Sequence, residues 1–309
     1  MKRVLKRLLA AVVAWRLAAP PLRPPFRVKQ EHPWRVSGRT IFVGDNEIAV
    51  RQIGPQEGPV VVMIHGLAGS SMAEWYKVAP RLADRFRVVM IDHRSHGFSQ
   101  LDRGPFEIED LADDLAGVMH ELGLEPATVV GYSMGGTIAQ SFARRHPHLV
   151  SKLVLVATFS HHPAAWRWAR NVLTAIARGW ERLTGTGTPE VRSAYLLATG
   201  AVEWRHASWL WEESHRRDPD AGAAAGFALL RFDSRPWLGE LQLPALVVIP
   251  TRDQLVPKTW QYELAAGLPN AAIEEIERGR HEIPWSHPER LAAIVGEFAA
   301  RDDINRRPA

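Results

Sequence analysis

The 309-residue chain contains no cysteine. That absence excludes a disulfide framework, a thiolate metal site and a cysteine nucleophile, and it leaves either redox compartment open. Nor is there an apolar run of the roughly twenty residues that a membrane span requires. Thirteen histidines invite a metal reading, but no pair has the His-Glu-x-x-His spacing that sets two ligands on one helix face. His93 with His96, and His161 with His162, are therefore read as surface or turn-stabilising residues, and His65 as a brace for the loop after Ile64. No metal and no cofactor are expected. Basic residues outnumber acidic ones 38 to 34, yet no aromatic-basic stripe gathers them into a nucleic-acid module, so no nucleic-acid partner is expected.

What is present begins with Gly131-Tyr132-Ser133-Met134-Gly135. The apolar run Ala127 to Val130 leads into it, and a helical pattern over Thr137 to Arg145 follows. A strand, a Gly-x-Ser-x-Gly turn and a helix form the elbow that exposes a nucleophilic serine. Flanking residues without Cβ let strand and helix approach a serine held at unfavourable backbone angles. The pentapeptide alone does not separate a nucleophile from an ordinary turn. A serine hydroxyl also needs a histidine to take its proton and a carboxylate to orient that histidine.

Both partners have strand-edge positions. Ala245 to Ile249 reads as a buried parallel strand, and Asp253 follows its C-terminal end. Ala271 to Ile276 is a weaker strand pattern; beyond it His281 lies in the loop before a helix start at Ser286-His287-Pro288-Glu289. Asp233 and His287 are the competing residues: Asp233 could serve if the acid followed an earlier strand, and His287 suits a capping or surface role. Asp253 and His281 are better placed, because open parallel sheets gather functional groups at the carboxyl ends of their strands.

Further segments repeat the alternation of strand and helix: Ile48 to Ile53, Val60 to Ile64, a helix near Trp75 to Ala83, Val88 to Ile91, a helix over Ile108 to Leu122, and Leu153 to Val156. Such a rhythm predicts an α/β fold with a mostly parallel central sheet and helices on both faces. Taken with these motifs, the chain from about Ile48 to about Arg301 resembles the α/β-hydrolase family. His65-Gly66-Leu67-Ala68-Gly69-Ser70-Ser71 is similar to that family's oxyanion loop. The resemblance implies that the backbone N–H groups of Leu67 and Met134 form an oxyanion hole. Asp92-His93-Arg94-Ser95-His96-Gly97-Phe98-Ser99 is similar to the family's Asp-x-Arg-Gly-His-Gly-x-Ser turn, with Ser95 where glycine is usual.

The rhythm stops after Val156 and resumes near Leu243, an insertion of about eighty residues by that pattern. Trp166, Trp168, Trp180, Trp204, Trp209 and Trp211, half of the twelve tryptophans, lie in it, and Thr184-Gly185-Thr186-Gly187-Thr188-Pro189 divides it into two helical parts. In the family this position carries a helical cap. The expected organisation is 1–35 as a basic and apolar segment with a Pro-rich linker, 36–157 and 241–309 as the two parts of the core, and 158–240 as the cap. Most of the cap indoles are read as packing groups, so none is named as a substrate ligand.

At the N-terminus, Lys2, Arg3, Lys6 and Arg7 precede the apolar run from Leu8 to Trp15. Residues 1–16 read as an interfacial helix on anionic lipid, ahead of a cleaved export signal whose apolar run Arg16 cuts short. A disordered or core-packed extension is the remaining alternative. The location expected is cytoplasmic or peripheral to the membrane, and oligomeric state is open.

By the resemblance, the function expected is that of a serine hydrolase, a carboxylesterase or lipase-like enzyme acting on an apolar ester, with Ser133, His281 and Asp253 as the triad. A serine at the elbow argues against relatives that attack through a carboxylate. A carbon–carbon hydrolase, lactonase, thioesterase or perhydrolase would use the same groups. From another class, a small-molecule receptor on a hydrolase scaffold remains open.

Overall fold

The computed structural model describes residues 33–301 apart from 35, 101–105, 125, 185–186 and 215–218. The expected interfacial helix over residues 1–16 and most of the Pro-rich linker lie outside the described residues.

Eight strands form one sheet in the order β1-β2-β4-β3-β5-β6-β7-β8: β1 Gly38–Val43, β2 Asn46–Ile53, β3 Val60–Ile64, β4 Arg87–Ile91, β5 Ala127–Tyr132, β6 Val150–Val156, β7 Ala245–Pro250 and β8 Ala271–Ile276. The β1/β2 and β2/β4 pairs are antiparallel and the remaining pairs are parallel. The expected α/β class with a mostly parallel sheet therefore holds. β1 adds a hairpin partner to β2 at the edge; its alternating exposed and half-buried residues gave no buried apolar run to read.

Nearly every side chain of the central strands is buried, as a sheet covered on both faces requires. Period-two alternation sorts them. Val62, Ile64, Val89, Ile91 and Val129 join one apolar cluster, while Val61, Met63, Val88, Met90 and Val130 join the other. The first cluster includes α2 Ile108–Glu121 and α3 Met134–Arg145; the second includes α1 Ser71–Trp75 and the late helix described below.

The helix expected near Trp75 to Ala83 is corrected. The α-helix ends at Trp75, and only a 3-10 turn, Ala79–Arg81, follows. Pro80 has no N–H to donate and clashes with a continuing helical turn. Ser70 starts α1 instead, accepting the Ala73 N–H at 3.1 Å.

Between β6 and β7 lie α4 Ala164–Thr184, α5 Thr188–Ala198, α6 Ala207–Ser214 and α7 Pro219–Arg231. α4 packs on α7, and α5 packs on α6. After β7 come α8 Lys258–Gly267, the short α9 Ile283–Ser286 and α10 Pro288–Ala299. α10 starts with proline at its first position, where a missing N–H costs nothing. Among the described residues no helix is long and apolar enough to cross a membrane.

Candidate active site

β5 delivers Ser133 at a turn with φ 53° and ψ −118°, a left-handed backbone that an L-residue adopts only under constraint. Close approach explains its glycine neighbours. A Cβ on Gly131 would lie 2.3 Å from the Gly135 carbonyl oxygen, and one on Gly135 would lie 2.3 Å from that of Ile64. The turn is pinned on both sides: Ser133 N–H donates to Val156 O at 2.9 Å, and Thr158 Oγ1 donates to Ser133 O at 2.7 Å. Its neighbours Tyr132 and Met134 are buried while Ser133 itself stays partly exposed.

The loops after β7 and β8 carry the partners. Arg252 N–H donates to Gly279 O at 2.8 Å and ties the two loops together. His281 Nε2 lies 3.0 Å from Ser133 Oγ, and its Nδ1 lies 2.9 Å from Asp253 Oδ2. A carboxylate only accepts, so Nδ1 carries the proton and Nε2 is left to accept from the serine hydroxyl. Asp253 is fully buried at its side chain. Its Oδ1 accepts the N–H groups of Leu255 and Val256 at 2.8 and 2.9 Å, and Gln261 Nε2 donates to Oδ2 at 3.3 Å. Residues 133, 253 and 281 of the sequence expectation thus meet in one hydrogen-bonded line.

The competitors lie elsewhere in the bonding. Asp233 pairs with Arg235 at 2.6 Å, which holds its carboxyl below the usual range. His287 Nδ1 lies 2.9 Å from Ser286 Oγ; it heads α10 but makes no side-chain cap bond, contrary to a capping role.

Leu67 and Met134 flank the nucleophile. A Cβ on Gly66 would approach Ser133 Cβ to 3.2 Å, so the 66–69 loop runs directly past the elbow. Met134 is the first residue of α3, where an N–H has no intrahelical partner. Among the described residues, neither the Leu67 nor the Met134 N–H donates to a protein acceptor.

The planes of the 66–69 loop are held one by one. His65 Nε2 accepts the His93 N–H at 3.1 Å, so its Nδ1 carries the hydrogen and donates to Gly66 O at 2.8 Å. Because a trans peptide is planar, fixing the Gly66 carbonyl fixes the Leu67 N–H on its other side. Glu74 Oε2 accepts the Gly66 N–H at 2.6 Å. Arg192, on α5, donates to Ala68 O at 2.9 Å and to Leu67 O at 3.4 Å, and meets Glu74 Oε1 at 3.1 Å. Ala68 is itself at φ 55°. Burial pushes the Glu74 carboxyl up, opposed by Arg192 and the Gly66 N–H.

His65, His93 and His96 form one buried cluster, with the first two rings 4.1 Å apart. His93 and His96 are therefore turn-stabilising rather than surface residues. Burial and mutual repulsion push His65 and His93 well below the ordinary histidine range. Among the described residues no group of three or more His, Cys, Asp or Glu could hold a metal ion.

Four participants went unread in the sequence: Glu74, Tyr132, Arg192 and Gln261. Tyr132 donates its hydroxyl to His281 O at 3.0 Å and so anchors the histidine loop. Its place inside the pentapeptide was a usable signal. Glu74 and Arg192, 118 residues apart, carried none.

A family model described as alpha/beta hydrolase fold matches residues 59–193. A Caulobacter segnis protein provisionally named carbamate hydrolase RutD is 32% identical over 251 residues, covering 76% of this chain and 89% of that protein. A pimeloyl-(acyl-carrier protein) methyl ester esterase of Chromobacterium violaceum is 33% identical over 259 residues, covering 78% and 94% respectively. The solved structure of an enol-lactonase from Burkholderia xenovorans LB400 matches with a TM-score of 0.72 at 24% identity, covering 85% of this chain and 100% of that one.

Proposed function

Because the chain belongs to the alpha/beta hydrolase fold family, we propose that this hydrolase cleaves a carboxylic ester through an acyl-enzyme on Ser133. One observation carries the reading: Ser133 Oγ, His281 and Asp253 stand in line at 3.0 and 2.9 Å. His281 Nε2 takes the serine proton as Oγ bonds to the carbonyl carbon, and Asp253 stabilises the imidazolium that forms. The carbonyl oxygen, now negative, takes the Leu67 and Met134 N–H groups; one such donor contributes about 3 kcal/mol to lowering the barrier. The carbon–oxygen bond to the alcohol then breaks and His281 returns the proton to the leaving oxygen. Water repeats the sequence, its proton going to His281 while Ser133 is released.

The printed names of the relatives, a carbamate hydrolase and a methyl ester esterase, share a carbonyl that bears a heteroatom leaving group. An ester with an apolar acyl chain suits the tryptophan-rich segment between β6 and β7. The carbamate name supplies the second reading. Steady-state assays on nitrophenyl esters of graded chain length, a matched aryl carbamate and a lactone test both. The ester reading expects kcat/KM for the best ester to exceed that for the carbamate by at least about tenfold, and the reverse order would replace it with the carbamate reading. A receptor on this scaffold would stop after about one turnover per molecule.

A further inference from the structure

Helix α4 presents apolar side chains to solvent in its middle turns. Among exposed residues between 171 and 179 only Asn171 is polar, and Val172, Leu173 and Ile176 expose 40%, 62% and 62% of their surface. Two polar residues lie on the α7 side: Arg178, half-buried, donates from Nε to Asp220 Oδ1 of α7 at 2.7 Å, and Thr174 lies near Gly226 of the same helix. At 100° per residue, positions 172, 173 and 176 lie within one arc, and positions 169 and 180 fall in the same arc. A helix of 21 residues that presents such a face is a candidate surface for association.

Charge decides what covers it. The helix carries four arginines, at 167, 170, 178 and 182, against the single acid Glu181. A second copy seated here would bring two helices of net positive charge together. The N-terminal segment, with Lys2, Arg3, Lys6 and Arg7, would add more positive charge to the same place. A layer of anionic headgroups over acyl chains matches both features, since it offsets the positive charge of the helix and takes up the apolar arc.

We propose that α4 docks the protein on an anionic lipid surface, with Leu173 and Ile176 entering the acyl boundary. Docking through this face places the segment between β6 and β7 against the membrane and leaves the sheet outside it. The inference does not depend on the ester reading, because it concerns where the protein sits and not what it cleaves.

The test uses full-length protein and sedimentation with vesicles of phosphatidylcholine, alone or mixed equally with phosphatidylglycerol. The wild type is expected to bind the mixed vesicles and to lose binding as salt rises. L173E/I176E is expected to weaken that binding by at least about tenfold, since two apolar side chains leave the membrane. R170E/R182E is expected to weaken binding to the mixed vesicles more than to pure phosphatidylcholine. Hydrolysis of a soluble short ester, or the thermal midpoint if no ester is turned over, confirms that both variants are folded. Unchanged vesicle binding by folded L173E/I176E would overturn the proposal and assign binding to another segment. Equally, a wild type that ignores vesicles but is dimeric, with L173E/I176E monomeric, would overturn it in favour of a second copy.

Discussion

Glu74 Oε1 and Arg192 Nη1 meet at 3.1 Å, one from the helix that follows the 66–69 loop and the other from α5, within the segment between β6 and β7. Glu74 takes the Gly66 N–H and Arg192 the Leu67 and Ala68 carbonyls, so the pair brackets the Gly66–Leu67 peptide that His65 fixes, and the seating of α5 bears on the loop that presents the proposed oxyanion donor. Gly69 belongs to the same arrangement: a Cβ there would lie 2.2 Å from Glu74 Oε1.

Loosening that loop is expected to act on the transition state more than on substrate binding. Glu74→Gln keeps an acceptor for the Gly66 N–H but removes the charge facing Arg192. It should lower kcat about 10-fold to 100-fold with KM within about threefold, a loss smaller than or equal to that of an oxyanion donor. Rates are counted per active site titrated with a fluorophosphonate, which separates misfolded protein from slow enzyme. Equal losses in KM and kcat/KM, with kcat intact, would show that the pair serves substrate binding instead.

Asp253→Asn tests the tautomer. An asparagine amide can offer a donor where His281 needs an acceptor, so the imidazole hydrogen moves to the nitrogen facing Ser133. A fall in kcat of about 10⁴ with little change in the melting curve is the expected result. A fall below tenfold would mean that another group orients His281.

Gly97 sits at φ 55°, and a Cβ there would lie 2.4 Å from Asp92 Oδ2. That carboxylate accepts from Arg51 Nη1 at 3.1 Å, Phe98 N–H at 3.0 Å and Ser71 N–H at 2.7 Å, joining β2, the 92–99 turn and α1. Gly97→Ala adds left-handed strain to overpacking against a buried ion pair, so a loss of about 2–4 kcal/mol is expected in urea unfolding. A loss under about 0.5 kcal/mol would contradict the role given to this turn.

Buried His65 and His93 set a pH dependence. Their folded pKa values are depressed, so between the ordinary value of about 6.5 and the lower folded values the unfolded chain binds more protons than the native one. Stability is therefore expected to fall as pH drops through that window, by up to about 1.4 kcal/mol per pH unit for each histidine. Glu74 has the opposite sign: its raised carboxyl favours the fold below about pH 4.5 and loses that contribution as pH rises through its folded value. Urea midpoints measured between about pH 7 and 5 check the histidine effect, and a flat or inverted profile would contradict it.

The site was legible where local chemistry constrains the chain. Ser133 stands between glycines that a close approach demands, and Asp253 follows an apolar run that forms a fully buried strand, whereas His281 follows the weaker pattern Ala271–Ile276, of which only Ile276 is buried. Leu67 became readable through likeness of its loop to a known one. Glu74 and Arg192 were not legible, because a salt bridge joining a short helix to a distant one leaves no periodicity in either segment. The break after Trp75 was overlooked although Pro80 announced it. The antiparallel edge strand Gly38–Val43 hid because an exposed strand needs no apolar run. In α4 the apolar arc was present in the sequence, but which way it faced depended on α7.

The most direct test of the hydrolase account is intact-mass and peptide analysis after fluorophosphonate treatment, run beside ester turnover for wild type and Ser133→Ala. The account predicts one adduct per wild-type chain, mapped to Ser133, and neither adduct nor turnover in the variant, whose thermal midpoint stays close to wild type. Ester hydrolysis persisting in folded Ser133→Ala, or an adduct mapped to another residue, would contradict it.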